Sequence, residues 1–390
     1  MKVAMIVSDN PQCGITTHAN YVTSEFGENC EVDIIKTKLS VIRSRGILEQ
    51  SKYYKTIALE LNTRYDIVHI QHEYGLWGRK IFYYHFNLYN FLKNLTLPVV
   101  ISLHSIVPDL ISPDYVLHEK SGGLIRRNPL FKYSKYWAYI KMLNYISNRV
   151  NRFIIHSDDS YTIYKSSNGN GNIKILPLGI PGVRKISLAD KLEAKARKGF
   201  LGKKLLVLFG FVSSYKGHET AIHALSNLPP EYILIIAGGS HPLNPDSNEY
   251  MKRLLRLAHR YNIRDRVIIT GFLSEEEIDE WQIAADLVLA PYLEVGLSAS
   301  AAISRAFAMS NAVVASDISA FLGIAEQTKA IKIFPSTEAL LLVDSILEIE
   351  KNKVLLNRMR EASYEYAEKN SMYTIANEHI KLYNTILSEN

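Results

Sequence analysis

Short apolar segments alternate with helical patterns along the whole chain, and this alternation limits the possible folds more than any other feature. The segments are rich in Val, Ile and Leu and show little polar alternation, as is typical of parallel strands covered by helices on both faces. The first series comprises Val3–Ser8, Val32–Ile35, Asp66–Ile70, Pro98–Leu103, Arg152–Ile155 and Ile173–Leu176. The second comprises Lys204–Phe209, Tyr232–Ala237, Arg266–Ile269, Asp286–Ala290, Ala312–Ala315 and Ala330–Phe334. Two series of about six strands predict two Rossmann-like, doubly wound α/β domains.

The length of 390 residues also suits two domains. We place the join near residues 178–202, because Gly179, Pro181 and Gly182 interrupt regular structure and residues 184–203 are largely polar. The prediction is an N-terminal domain over 1–180 and a C-terminal domain over 181–372. An apolar stripe formed by Tyr373, Ala376, Ile380, Tyr383 and Leu387 predicts a last helix, 373–390, that packs back on the N-terminal domain.

Composition narrows the classes of protein that fit. The formal charge of +6 is small for this length, so the chain lacks the dense basic face of a nucleic-acid-binding protein. Two cysteines, Cys13 and Cys30, favour a reducing compartment, and no apolar run is long enough to span a bilayer. We therefore expect a cytoplasmic protein, peripheral at a membrane at most. A basic, aromatic loop over 112–135 could contact lipid headgroups or an anionic acceptor, although a solvated loop explains the same residues better.

The segment from Phe209 to Glu219 is the strongest candidate site, because it leads from a strand into a helix. Gly210 allows a ligand to approach the backbone closely, and Lys216 adds a positive charge near the helix N-terminus. Together they suit a diphosphate, although the same pattern fits a plain turn with a solvated lysine. Gly238 follows the next strand and marks a second position of close approach.

Two further segments of the C-terminal half contribute candidates. Small residues Ser298, Ala299 and Ser300 precede an apolar helix, so its first N–H groups can face a phosphate, and Glu294 can accept hydrogen bonds from sugar hydroxyls. A capped helix with an exposed glutamate explains the same residues. Phe272 lies just before a capping box of Ser274 and Glu277 and is placed to meet a base or to pack in the core.

In the N-terminal half, candidates follow three strands. Gly14 opens a helix after the first strand, His72 and Glu73 follow the third, and His104 follows the fourth. We predict that His72 and Glu73 contact the acceptor. His69 and His72 lack a third ligand, and their spacing turns them to opposite faces of a strand, so we expect no metal and no other cofactor.

These segments, in this order, resemble the retaining glycosyltransferases of the GT-B fold, family 4. The resemblance covers nearly the whole chain and rests on these pieces: Tyr65–Gly75, His104, Lys174–Ile180, Gly210–Gly217, Gly271–Phe272, Ala284–Pro291 and Ala312–Asp317. It implies that the chain moves a hexose-type sugar from a UDP- or GDP-sugar to an acceptor hydroxyl on a sugar, a glycan or a lipid-linked molecule. It also implies that the anomeric configuration is retained and that the two domains face each other across a cleft.

The resemblance assigns roles by position. Lys216 would hold the donor diphosphate, aided by Gly210, Gly238 and the 298–300 segment, and the backbone near Phe272 would meet the base. Gly14 and His104 would face the transferred sugar. Glu294 matches the first glutamate of the family's E-x7-E signature, whose role is to contact that sugar. His104, Lys216 and Glu294 are therefore the predicted catalytic residues.

The chain departs from the family pattern at two positions. Phe211 stands where an arginine usually follows the loop glycine, and the position for the second glutamate, which holds the ribose, is Ala302. These departures describe a variant branch and keep two alternatives open. One is a catalytically silent GT-B homologue acting as a binding subunit. The other is a sugar-nucleotide epimerase, which would need more carboxylates than these segments offer.

Overall fold

The computed structural model describes residues 1–10, 13–28, 30–44, 46–78, 81–106, 129–167, 169–240, 247–293 and 300–389. Its described residues form two compact units, one from 1–179 with 372–389 and the other from 180–293 with 300–371. Each unit contains one six-stranded sheet, and every strand pair is parallel. The predicted α/β class with two Rossmann-like domains is confirmed.

The sheet of the N-terminal unit has the strand order β2-β1-β3-β4-β5-β6. Its strands are β1 Lys2–Ser8, β2 Glu31–Thr37, β3 Ile67–His72, β4 Val99–Leu103, β5 Arg152–Ile155 and β6 Ile173–Ile175. Its helices are α1 Gly14–Ser24, α2 Leu39–Ser44, α3 Ile47–Leu61, α4 Ile81–Asn94, α5 Pro129–Arg149 and α6 Asp158–Ser166. The order of the strands reverses between β1 and β3, which makes that crevice the switch point of this sheet.

The sheet of the C-terminal unit has the order β12-β11-β10-β7-β8-β9. Its strands are β7 Lys204–Phe209, β8 Tyr232–Ala237, β9 Val267–Ile269, β10 Leu287–Ala290, β11 Val313–Ser316 and β12 Ile331–Phe334. Its helices are α7 Leu188–Arg197, α8 His218–Ser226, α9 Ser247–Arg260, α10 Glu275–Ala284, α11 Ala301–Ala308, α12 Ser319–Thr328, α13 Ala339–Lys351 and α14 Lys353–Lys369. The switch point lies between β7 and β10.

All twelve predicted strands are present within two residues of their predicted ends. They were recognisable because both faces of each sheet are covered, so most strand residues are buried and apolar. The capping box of Ser274 and Glu277 at the start of α10 is also confirmed, with both reciprocal hydrogen bonds present.

The last helix, α15, runs over Met372–Glu389 and packs on the sheet of the N-terminal unit beside Val3, Ile67 and Val100. The predicted apolar face needs correction. Tyr373 is 64% exposed, and the buried positions include Ile375, Leu382 and Ile386 in its place. Ala376 and Tyr383 of the predicted stripe are fully buried, and Ile380 and Leu387 pack beside the core, so Tyr373 alone was assigned wrongly. Its ring carries enough apolar surface to be mistaken for a core residue.

The segment expected to be an irregular, polar join contains the helix α7. Its N-terminus is fixed by a capping box in which the Ser187 side chain accepts from the Asp190 N–H and the Asp190 carboxylate accepts from the Ser187 N–H. A capping box supplies two of the hydrogen bonds that a helix start lacks, which explains why a polar sequence is helical here. Among the described residues, no helix is both long and apolar enough to cross a membrane.

Candidate functional site

The Lys216 side chain hydrogen-bonds to residues at the ends of the two strands that border the switch point of the C-terminal unit. It belongs to the short turn between β7 and α8 and is 7% exposed. Its Nζ donates hydrogen bonds to the Phe209 carbonyl oxygen at 2.9 Å and to the Tyr292 hydroxyl at 3.0 Å. Phe209 ends β7 and Tyr292 follows β10, so the ammonium group lies where an open α/β sheet ordinarily binds its ligand.

Glycine is required around this lysine for steric reasons. Gly210 has φ +107°, and a Cβ at this position would collide with the Lys216 ammonium group. A Cβ on Gly238 would collide with the Gly210 carbonyl oxygen, because the Gly210 N–H donates to Ala237 and holds the two backbones together. The predicted close approach at Gly210 and Gly238 therefore has a steric cause. The Lys216 ammonium group and the Gly210 carbonyl oxygen fill the space that a side chain would need at these two positions.

Lys216 has no carboxylate partner among the described residues. Burial lowers its pKa, and the group that acts in the opposite direction is the Tyr215 hydroxyl. Another buried lysine of the same unit, Lys195, is neutralised by Asp286 at 2.5 Å. A buried ammonium is costly unless it is paired, so the Lys216 site has the electrostatics of a site for an anion.

An exposed aromatic pair adjoins the glycines. Phe272 is 53% exposed, and its ring meets that of Phe211 edge to face at a centroid distance of 6.0 Å. Gly239 lies behind Phe272, where an added Cβ would stand 3.1 Å from the ring. Phe211, which replaces the arginine of the family pattern, thus forms an apolar platform with Phe272, and such a surface suits the face of a nucleobase.

Three predicted site residues, Glu294, Ser298 and Ala299, lie outside the described residues. Ser300 lies within them and is the residue before α11. It hydrogen-bonds the Tyr292 hydroxyl, which also accepts from Lys216. Ser300 is therefore linked to Lys216 through one tyrosine, whose pKa is raised by complete burial.

The position of the second signature glutamate is apolar in the structure as well. Ala302 is 7% exposed and lies on the buried face of α11. Arg305, one turn later, forms ion pairs with Glu275 and Asp279 of α10. This part of α11 is committed to packing and to a surface ion-pair network, so Ala302 and Arg305 supply no carboxylate for a ribose.

In the N-terminal unit, the half-buried His104 ends a hydrogen-bonded chain whose other members are buried. Its Nε2 donates to Gln71 Oε1 at 2.7 Å, and the Gln71 amide nitrogen lies 3.3 Å from His69 Nε2. The chain of hydrogen bonds extends beyond His69, whose Nε2 lies 2.8 Å from the Ser102 hydroxyl and whose Nδ1 lies 2.6 Å from the Tyr383 hydroxyl. The Gln71 amide can donate to His69 while its oxygen accepts from His104, which assigns the proton of His104 to Nε2.

Two further histidines lie against His104. The ring of His156 is tilted over it at 4.8 Å, and that of His18 meets it edge to face at 6.0 Å. Burial lowers the pKa of His18 to about 3 and that of His156 to about 4, and it lowers the pKa of His104 well below its ordinary value. We refer to His18, His104 and His156 as the histidine cluster. All three are neutral at pH 7 and present hydrogen-bonding groups without charge.

Two ring nitrogens of the cluster have no partner within the part of the chain that the structure describes. His18 Nε2 accepts from the Gly179 N–H at 3.2 Å, which places the proton on Nδ1, and this Nδ1 is unpartnered. His156 Nδ1 donates to the Leu176 carbonyl, which leaves Nε2 as an unpartnered acceptor. One donor and one acceptor, both buried, therefore call for a partner with the hydrogen-bonding character of a hydroxyl group or of water.

The remaining predicted residues of this unit lie at the same edge of the sheet. Gly14 is exposed at the first position of α1, one turn before His18. His72 ends β3 and is 5% exposed, with a pKa lowered to about 3 by burial. The Glu73 side chain as a whole is exposed, while desolvation of its carboxyl group raises its pKa. Among the described residues, no group of three His, Cys, Asp or Glu side chains could hold a metal ion.

Sequence reasoning missed Tyr292, Gln71, His18 and His156. Tyr292 and Gln71 belong to candidate segments of the sequence analysis. Tyr292 follows a strand and Gln71 lies near the end of one, and these positions could have identified both residues. His18 is four residues after Gly14 and so lies on the same helical face. His156 follows the predicted strand Arg152–Ile155, as His104 follows β4.

Sequence comparisons match part of the chain to known proteins. The family model "Glycosyl transferases group 1" matches residues 190–366, a range that contains Gly210, Lys216 and Phe272. A D-inositol 3-phosphate glycosyltransferase of Xylanimonas cellulosilytica is 34% identical over 87 residues. That match spans 22% of this chain and 20% of the relative's length.

Solved structures resemble the chain over its full length. HepE of Anabaena in complex with UDP has TM-score 0.73 at 16% identity, over 99% of this chain and 100% of that chain. The sucrose-phosphate synthase of Thermosynechococcus elongatus has TM-score 0.76 at 15% identity, over 100% of both chains. At these identities the likeness defines the fold, and the fold is GT-B. The sequence match assigns residues 190–366 to the pattern of the group 1 glycosyl transferases.

Proposed function

We propose that the protein transfers a hexose-type sugar from a nucleoside diphosphate sugar to an acceptor hydroxyl. The observation that carries the proposal is the buried ammonium of Lys216 at the switch point of the C-terminal unit, which pairs with no carboxylate of the described residues. A diphosphate is the anion that fits this position, because the adjoining Phe211–Phe272 surface offers an apolar face for the attached nucleoside. UDP is the first nucleotide to test, since HepE was solved with UDP and with UDP-glucose.

The chemistry that follows is stabilisation of a leaving group. As the bond between the sugar and the diphosphate breaks, negative charge grows on the phosphate oxygens. A preorganised cation in a site that excludes water stabilises that charge more in the transition state than in the ground state. We propose that Lys216 supplies this charge without a metal. Turnover that persists in EDTA supports this part of the proposal, and loss of turnover in EDTA contradicts it.

The N-terminal unit is proposed to bind hydroxyl groups. Its histidine cluster is neutral and presents both a donor and an acceptor, which matches a sugar hydroxyl better than it matches a phosphate. His104 remains the candidate for a contact with the transferred sugar, with its tautomer set by Gln71. Retention of configuration remains a proposal from the family resemblance, as do contacts by Gly14, Glu73 and Glu294.

The test is product formation by the full chain. The protein is incubated with UDP-glucose, GDP-mannose or ADP-glucose and with a panel of glucosides, and nucleotide release and the glycoside product are measured together. We expect one donor to give a product, whose anomeric configuration by NMR tests retention. Release of nucleotide with no sugar product from any acceptor would contradict the transferase proposal. An interconverted sugar nucleotide would identify an epimerase.

A catalytically silent homologue is the second candidate, and one observation favours it. Ala302 and Phe211 remove two donor contacts of the family pattern, and Arg305 is held by Glu275 and Asp279. The two candidates differ in a simple respect. The silent homologue binds a nucleotide sugar and returns it unchanged, whereas the enzyme consumes it.

A further inference from the structure

A partly open cavity of about 140 Å³ lies in the N-terminal unit, on the face of the sheet covered by α4 and α5. Its walls include Ile101 of β4, Leu143 and Ile146 of α5, and Phe153 of β5. For comparison, an engineered apolar cavity of about 150 Å³ binds benzene, a six-carbon molecule. The cavity is therefore large enough for an apolar group of about that size.

The register of the strands places the strand residues that line the cavity at two levels. His72 pairs with Leu103 at the carboxyl end of the sheet, and Ile101 pairs with Phe153 two residues earlier. Strands advance about 3.3 Å per residue, so these two levels are about 7 Å apart. His72 is the polar strand residue of the upper level, Ile101 and Phe153 form the apolar lower level, and α5 adds the polar Ser147 to the lining.

His72 gives this cavity a chemical preference. It is 5% exposed, and no other residue in the described part of the chain bonds its Nδ1. A buried polar atom without a partner is unfavourable, so a ligand whose oxygen bonds His72 would be stabilised in this cavity. The neighbouring His85 differs, since its Nδ1 is bonded to the Tyr139 hydroxyl at 2.8 Å.

We propose that this cavity binds the apolar portion of the acceptor, an aliphatic chain of about six carbons whose attached oxygen is bonded by His72. The inference rests on the proposed function only in calling the ligand an acceptor. Binding of an aliphatic chain in the cavity does not depend on that function. His72 was predicted to contact the acceptor, and the cavity specifies which part of the acceptor it meets. The acceptor class is then an alkyl or isoprenoid alcohol or its glycoside.

The site is tested by titrating the full chain with ethanol, 1-butanol and 1-hexanol and by following saturation-transfer NMR. Burial of each methylene contributes about 0.8 kcal/mol, so affinity should rise about fourfold per carbon. Ser147→Phe places a ring from α5 into the cavity and should abolish saturable binding of 1-hexanol. Asn148→Phe, on the exposed side of the same helix, should leave it unchanged.

His72→Phe should weaken 1-hexanol by about 2- to 10-fold and should leave the dependence on chain length intact. The matched control is His223→Phe in the C-terminal unit, where the ring stacks on Tyr261 at 5.4 Å and affinity for the alcohol should not change. Affinity independent of chain length, or binding that survives Ser147→Phe, would overturn the cavity assignment.

The acceptor role is tested separately with methyl and hexyl β-D-glucoside as acceptors. A lower KM for the hexyl compound, lost in Ser147→Phe but not in Asn148→Phe, supports it. Equal KM values would overturn the acceptor role. Absence of transfer to either glucoside while 1-hexanol still binds would contradict the proposed function and would support the cavity as a binding site in its own right.

Discussion

The carboxyl ends of the two sheets carry opposite kinds of chemistry. In the N-terminal unit, His18, His104 and His156 are neutral at pH 7, because burial lowers their pKa values far below 7. In the C-terminal unit, Lys216 is equally enclosed and faces no carboxylate among the described residues. We therefore propose that one edge binds uncharged hydroxyl groups and that the other binds an anion.

This difference explains why one architecture, repeated, supports two roles. An open parallel sheet provides a crevice at its switch point whatever the sequence, so the ligand is selected by the residues that follow the strands. A transferase needs one site that stabilises a departing diphosphate and another that binds an alcohol without competing for that charge. The predictions below alter one side of this comparison at a time.

The largest effect is expected from removing the cation. Lys216→Met should lower kcat/KM for the nucleotide sugar by about 100- to 1,000-fold, the range found when one preorganised donor to a developing anion is removed. The measurement is initial-rate kinetics with the preferred donor. Lys252→Met, an exposed lysine of α9, is the control and should stay within twofold. A loss below fivefold for Lys216→Met would contradict the assignment.

The second effect comes from crowding the same lysine. Gly210→Ala introduces a Cβ that collides with the Lys216 ammonium, so we expect nucleotide affinity to fall by about 10- to 100-fold. Gly202→Ala is a matched control, since Gly202 also has positive φ, at +79°, but has open space around its Cβ. Both variants place alanine in a left-handed backbone conformation, so both should have a lower free energy of unfolding, which is measured by chemical denaturation. Equal nucleotide affinities in the two variants would show that the collision is irrelevant.

A third prediction converts the neutral edge into a charged one. Gln71→Glu places a carboxylate beside His104 Nε2, which favours the imidazolium and should raise the pKa of His104. The sign follows directly, since a raised pKa means that His104 becomes protonated at higher pH. The acid limb of the profile of kcat/KM against pH should therefore move upward.

Gln71→Met is the control for that profile, because it removes the hydrogen bond to His104 without adding charge. The acid limb of this variant should not move upward. Its kcat/KM should fall, because His104 is no longer held in the tautomer with the proton on Nε2. The same upward shift in both variants would mean that charge beside His104 is not the cause.

The smallest effect is expected at the aromatic surface. Phe272→Ala removes a ring that is 53% exposed and should raise the dissociation constant for the nucleotide about 2- to 10-fold, as expected for one aromatic pair. Inorganic diphosphate, which has no base, should bind equally well to the variant and the wild type. Tyr261→Ala, another surface aromatic of this unit, should change neither constant. Equal weakening of nucleotide and diphosphate would rule out stacking.

Features set by local sequence could be predicted, and those set by distant contacts could not. The strands, the Ser274–Glu277 capping box and the turn containing Lys216 depend on a few adjacent residues. The contact of Tyr383 with His69 joins residues 314 apart, and only the tertiary fold brings them together. That none of the carboxylates in the described residues pairs with Lys216 is likewise a property of the packed structure. The helix α7 was missed for a different reason, because polar content was given more weight than the Ser187–Asp190 cap.

Isothermal titration of the wild type and of Lys216→Met with UDP, GDP and ADP tests the central claim most directly. The account predicts that one nucleotide binds to the wild type with one site per chain, and that its affinity falls at least tenfold in Lys216→Met while the Lys252→Met control binds normally. Nucleotide binding of unchanged affinity in Lys216→Met would contradict the claim that this buried ammonium is the diphosphate site.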